Sequence, residues 1–146
     1  MAITFHPNPG QILLCDFSQG FKEPEMVKNK RPVIILTGAM NGRAKLVTVV
    51  PLSTVEPLPV KPYHYKIPRN SMPMLKNFQE NESWVKGDMI YTVGFHRLEL
   101  IQLGKRNSAG KREYFKNKLS REQMRLIYQC VLYGLNLGHL SKHLKE

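Results

Sequence analysis

The sequence predicts a mainly β fold with a helix added (α+β): an antiparallel barrel or strongly twisted sheet followed by a C-terminal helix. Three observations carry this. Two β-branched runs, Arg31-Pro32-Val33-Ile34-Ile35-Leu36 and Val47-Thr48-Val49-Val50-Pro51-Leu52-Ser53, lie close together and read as strands. Between them, Asn41-Gly42 is the strongest short hairpin signal in the chain. Near the C-terminus, Ser120 with Gln123 three residues on is a capping-box signature ahead of an apolar stripe at helical spacing.

Taken in order, Pro7-Asn8-Pro9-Gly10 is a turn cluster that opens the fold. Residues 11–17 follow as the first strand. Residues 18–30 are polar and charged and contain Gly20 and Pro24, which marks an exposed loop. Residues 31–37 form the second strand, with Pro32 at its first paired position because proline cannot donate to a ladder. Residues 44–53 form the third. Three strands meandering within about fifty residues point to a barrel or a twisted sheet. Pro57, Pro59 and Pro62 make residues 55–62 an extended connector, and Tyr63-His64-Tyr65-Lys66-Ile67 alternates as a fourth strand. Residues 68–83 are turn-rich and carry no assignable element. Residues 84–93 read as one further strand, residues 95–101 as one or two helical turns, and residues 104–118 as a basic segment. Ser120 then caps a helix running to about Leu135, with Met124, Ile127, Val131 and Leu135 on one face and Gly134 and Gly138 ending it.

At 146 residues the chain fits one domain, 1–146, with a real core. An apolar fraction of 42% excludes the disordered class. Lys and Arg number 22 against 11 Asp and Glu, a formal charge of +11. A pI near 9.8 favours a polyanion such as nucleic acid as partner. The longest apolar runs are too short to span a bilayer. Residues 1–7 lack the basic region and apolar core of a secretory signal. A cytoplasmic location is therefore expected, with no membrane partner. Cys15 and Cys130 are isolated and read as reduced core residues. No His, Cys or Asp cluster has ligand spacing, so neither a metal nor another cofactor is expected.

Arg31 opens one β-branched run; Ser53 and Thr54 close the other. A guanidinium and a hydroxyl at one edge of a small sheet suit phosphate handling. On sequence physics alone, Arg31 reads equally as a solvated strand-edge residue and Ser53 as a turn residue. Thr54 is the second choice, since one step along a regular strand points to the opposite face. His64 has the pKa range for acid–base work. Glu23 and Glu25 lie in the loop before Arg31, where most carboxylates are simply solvated. Asp16 reads as fixing the first strand. The densest basic stretch runs from Lys105 to Lys118, and residues 105–125 hold eight Lys or Arg against two Glu. Here Lys105, Arg106, Lys111 and Arg112 would track phosphates while Tyr114 and Phe115 stack bases. Lys30, beside Arg31, is a further RNA-binding candidate. The alternative is a solvated basic loop.

The order Gly10-Gln11-Ile12-Leu13, Arg31-Pro32-Val33-Ile34, Val50-Pro51-Leu52-Ser53 resembles the PemK/MazF family of toxins from bacterial toxin–antitoxin pairs. The segment from Ser83 to Val93 is similar to the later family strand that ends in Ile-x-Thr-Val, and Phe95-His96-Arg97-Leu98 to the Arg-Leu that begins the following helix. The match covers residues 9–54 and 83–101. Two stretches depart from the family pattern: 55–82, longer and more proline-rich than usual, and the additional basic segment 104–118.

The resemblance implies an SH3-like small antiparallel barrel with a C-terminal helix, usually a homodimer. It implies a metal-independent endoribonuclease that cuts single-stranded RNA at short sequences and is blocked by a cognate antitoxin protein. It also implies Arg31 as the catalytic arginine and places Ser53 at the family's Ser/Thr position. RNA carries its own nucleophile, the 2′-hydroxyl, beside each phosphodiester. Cutting then needs a base, an acid and a cation for the phosphorane, and leaves a 2′,3′-cyclic phosphate. Two rival readings remain: a non-catalytic barrel that inhibits a protein target such as a topoisomerase, and a basic SH3-like module that only binds nucleic acid.

Overall fold

The computed structural model describes residues 2–26, 30–72 and 82–144. Among these the chain forms β1 (Ile12–Cys15), β2 (Arg31–Ile35), β3 (Leu46–Ser53), β4 (His64–Ile67), β5 (Ser83–Lys86), β6 (Tyr91–Gly94), β7 (Leu98–Glu99), β8 (Gln102–Arg106), β9 (Arg112–Tyr114) and the helix α1 (Arg121–Gly134). Strands β1, β2 and β3 meander antiparallel, with Ile12 opposite Ile34 and Ile34 opposite Val50. At the turn between β2 and β3, Met40 bridges to Arg43 and Gly42 takes a φ of 81°, as the Asn41-Gly42 signal demands.

The free edge of β3 serves two partners. Leu46 to Val49 pair with β6, whereas Leu52 and Ser53 pair with β5. Strand β5 pairs onward to β4, and β7 pairs with β1. Strands β6 and β7 are joined by a 3-10 turn, Phe95–Arg97. The pairings β1-β2-β3-β6 therefore return to β1 through β7, a small barrel ring from which β4 and β5 project as an arm.

Alternation along the strands divides the core in two. Leu13, Cys15, Val33, Ile35, Val47, Val49, Val93 and Leu98 pack together inside the barrel. Ile12, Ile34, Val50, Leu52, Ile67 and Val85 pack on the other face against Met124, Ile127 and Val131 of α1. Strands β2 and β3 are covered on both faces, which is why they read as continuous apolar runs.

The capping box of α1 is formed: Gln123 N donates to Ser120 Oγ (3.1 Å) and Ser120 N to Gln123 Oε1 (2.9 Å). The apolar stripe stops at Val131, however, and Leu135 is 50% exposed. The helix ends through Asn136, the left-handed residue at φ 62°, with Leu137 N donating to Leu132 O at 2.7 Å. Gly134 serves packing instead, because its Cα faces the backbone of Gly87.

Three further expectations change. Residues 84–93 are two strands, not one. A Cβ at Gly87 would lie 2.6 Å from Cys130 O of α1, so the chain turns where the helix backbone meets it. Arg97-Leu98 starts no helix: Leu98 is buried and pairs with Cys15 in β7. The basic segment is the β8–β9 hairpin, turned by Gly110 at φ 79° and by Asn107 Oδ1, which accepts from Ala109 N and Lys111 N. Of the 55–82 stretch, 73–81 lies outside the described residues.

Candidate active site

Val33 of β2 stands opposite Pro51 of β3. Two residues further along the same antiparallel register, Arg31 stands opposite Ser53. Both share the parity of Val33, so they project from the barrel-core side of the sheet, at the end where β2 starts and β3 stops. Cys15 faces Arg31 from β1, Trp84 faces Ser53 from β5, and Lys66 faces Trp84 from β4. One cross-strand row thus runs Cys15–Arg31–Ser53–Trp84–Lys66. Directly opposed side chains start about 5 Å apart at Cβ, within reach of a single phosphodiester.

Burial is the cause that holds the half-buried Arg31 guanidinium below its ordinary pKa, yet it remains a cation at neutral pH. Ser53 Oγ accepts from Val55 N at 3.1 Å. That turn fixes the oxygen and leaves the hydroxyl proton to donate outward. Thr54 lies one residue past β3, off the row.

The loop before β2 is tied to the barrel end by aromatic contacts. Phe17, Phe21 and Tyr91 form a ring cluster with centroids 5.2–5.3 Å apart, and Met26 N donates to Tyr91 Oη at 2.9 Å. Arg97 lies 4.7 Å over Phe21 and donates to Asp16 O at 3.0 Å. Asp16 Oδ1 accepts from Ser18 N at 2.8 Å, and hydrogen bonds from Ser18 hold its carboxyl below the usual range. Asp16 therefore fixes the chain after β1, as the sequence indicated. Glu25 Oε1 accepts from Lys22 N at 3.0 Å in a local turn, while Glu23 is exposed.

Other candidates fall apart from the row. Lys30 forms an ion pair with Glu99 at 2.9 Å, and the Glu99 hydrogen bond raises its pKa. Burial pushes the Glu99 carboxyl up, but Lys30 brings the net shift below the usual value. His64 stands two strands from Ser53, about 10 Å by strand spacing. Its Nδ1 accepts from Lys61 N at 3.0 Å, and burial followed by the Lys86 charge lowers its pKa.

On the β8–β9 hairpin, Arg106 donates to Gly110 O at 2.8 Å, Arg112 donates to Gln102 Oε1 at 3.4 Å, and Lys111 is exposed. The Lys105 side chain lies outside what is described. Tyr114 lines a cleft of about 370 Å³ with Phe5 and Arg112. Phe115, half-buried, packs against the helix-side core with part of its ring. The sequence reading missed Trp84, Lys66 and Lys86 as site neighbours. Their alternation in β4 and β5 was the available signal, but it carries meaning only once β5 is known to pair with the end of β3.

A sequence profile of the family described as "PemK-like, MazF-like toxin of type II toxin-antitoxin system" matches residues 8–133. The chain belongs to this toxin family. The protein YifN of Escherichia coli (strain K12) is 31% identical over 153 residues, covering 93% of this chain and 96% of its own length. Among solved structures, MazF from Deinococcus radiodurans matches with a TM-score of 0.59 at 13% identity, over 91% of this chain and 99% of its own. An endoribonuclease from a mycobacterial species, solved in complex with its cognate antitoxin, matches with a TM-score of 0.56 at 20% identity, over 90% of this chain and 96% of its own. The mostly antiparallel sheet with a C-terminal helix is thus the fold of MazF toxins. Among the described residues, no helix is long and apolar enough to cross a membrane.

Proposed function

We propose that this PemK/MazF-family chain is the toxin of a toxin–antitoxin pair and acts as a metal-independent, sequence-specific endoribonuclease on single-stranded RNA. The observation that carries the reading is the register that sets Arg31 opposite Ser53 on one face of the sheet. In the reaction the 2′-oxygen attacks the adjacent phosphorus, forming the P–O2′ bond as the P–O5′ bond breaks. The products are a 2′,3′-cyclic phosphate and a 5′-hydroxyl. The Arg31 guanidinium pairs with the phosphorane oxygens and stabilises their added charge. The Ser53 hydroxyl donates to a non-bridging oxygen. Glu23 in the loop before β2 is assigned to take the 2′-proton, because Glu25 is held in a turn by Lys22 N and His64 stands two strands away, and water protonates the departing 5′-oxygen.

The antitoxin in the complex of the mycobacterial endoribonuclease supports an antitoxin partner for this chain as well. A homodimer fits the exposed apolar residues Tyr133, Leu135, Leu137 and Leu140, and sedimentation will give the mass that checks it. The test of activity is incubation of the pure protein with a long single-stranded RNA in excess EDTA, followed by mapping of the ends. Cleavage that persists, with cyclic-phosphate and 5′-hydroxyl ends, and an all-deoxy strand that is bound but uncut, support the reading. Loss of cutting on chelation, or cutting of the deoxy strand, overturns the mechanism.

A further inference from the structure

Beyond Ser53 the same sheet face continues onto the arm. Leu52, Val85, Tyr65 and Ile67 turn toward the helix-side core, so Ser53, Trp84, Lys86, Lys66 and His64 turn the other way, to the face that carries Arg31. Lys66 lies in the Arg31–Ser53–Trp84 row. Lys86 lies one row over, opposite His64 and diagonal to Ser53, a separation of about 7–8 Å. Both ammonium groups therefore stand within one side-chain length of the strip leading away from Ser53 across β5.

The local charge is positive. Among the described residues Lys86 forms no ion pair. Lys66 Nζ sits 5.9 Å from the Trp84 ring centroid and 3.3 Å from Glu82. Both partners of that ion pair are about half exposed, so it contributes little and a phosphate can displace the carboxylate. Trp84 is only 8% exposed and forms a firm floor beneath the Lys66 stem. Opposite Lys86, burial first and then the Lys86 charge lower the His64 pKa, with Asp88 acting against them.

We propose that Lys86 and Lys66 form a phosphate subsite on the β4–β5 arm, which holds the RNA strand flanking the bond that Arg31 and Ser53 address. The subsite rests on the RNA-cutting reading above, and it extends the nucleic-acid surface to residues on a different element from the basic hairpin. It supplies binding and register, and no proton transfer.

The test uses the full-length protein and a labelled single-stranded RNA of mixed sequence. Arg31→Ala is the common background, so that the strand survives the measurement. Lys86→Gln, Lys66→Gln and the double variant are compared over a salt series, with melting temperatures as the check on folding. Each ammonium group removed should flatten the slope of log K against log salt by about 0.7 and weaken binding about fivefold at 0.1 M salt. Lys86→Arg should keep the parent slope. An unchanged slope in the double variant overturns the subsite, even where the parent protein cuts RNA normally. Loss of binding to an acidic protein partner with the RNA slope unchanged overturns it too, and makes the arm a protein interface. A parent protein that neither binds nor cuts RNA overturns both the subsite and the function it rests on.

Discussion

At the residue scale, the pair at the strand ends carries the functional reading. Arg31→Ala should leave the fold intact and lower the rate by about 10²–10³, the usual loss when a preorganised transition-state donor is removed. Ser53→Ala should cost less, because Arg31 carries the charge. Circular dichroism and single-turnover cutting on the same samples check both, and a folded Arg31→Ala protein as active as the parent refutes the assignment. The cysteines give a pH prediction. Burial pushes the Cys15 thiol up to about 12 and Cys130 to about 11, against 9.0 for a free thiol. Above pH 9 the unfolded chain loses these protons while the folded chain keeps them, so the unfolded state binds fewer protons and stability falls as pH rises. The slope is about 1.4 kcal/mol per pH unit for each thiol until its folded pKa is reached. Urea midpoints at pH 8 and pH 10 should separate more in the parent than in the C15A/C130A variant. The places of Arg31 and Ser53 at strand ends and of both cysteines in the core were legible in the sequence, because strand ends and apolar runs are local. Lys66 and Lys86 were not, since a lysine on a strand is ordinary until the partner strand is known.

At the element scale, α1 was the clearest feature, because its cap and its stripe are both written within the helix itself. Ser120→Ala should cost about 1 kcal/mol, read from thermal or urea unfolding. The split of β5 from β6 was illegible for the opposite reason: it is imposed by the approach of α1 to Gly87. Gly87→Ala places a methyl group 2.6 Å from Cys130 O, a backbone atom that cannot swing aside. It should destabilise the protein by at least about 2 kcal/mol, as overpacking against rigid neighbours does. Gly110→Ala, where nothing lies within 4 Å, should cost only the strain of its positive φ, about 1 kcal/mol. Equal losses at the two positions would refute the close-approach account of Gly87. The β8–β9 hairpin escaped the sequence reading because Lys, Arg and Asn dominate it and give no apolar alternation.

At the scale of the whole molecule, part of the positive charge gathers in two separate places, with Lys105, Arg106, Lys111 and Arg112 on the β8–β9 hairpin and Lys66 and Lys86 on the β4–β5 arm. Replacing Lys105, Arg106, Lys111 and Arg112 by Ser should flatten the salt dependence of RNA binding by about 0.7 log units for each phosphate that is no longer neutralised. Turnover of bound RNA should stay unchanged. A drop in turnover at saturating RNA would show that the hairpin reaches the chemistry. The architecture was readable as a β meander with a terminal helix. The barrel's closure was not, because it depends on the pairing of a two-residue strand, β7, with β1. The division of the β3 edge has one more implication. Residues 54–63 lead from β3 into β4, away from the pairing of β3 with β6. A change of length in 54–63 should leave the register of β1, β2, β3 and β6 unchanged, because none of those pairings runs through it. Ser53, paired with Trp84, is the joint between the barrel part of β3 and the β4–β5 arm.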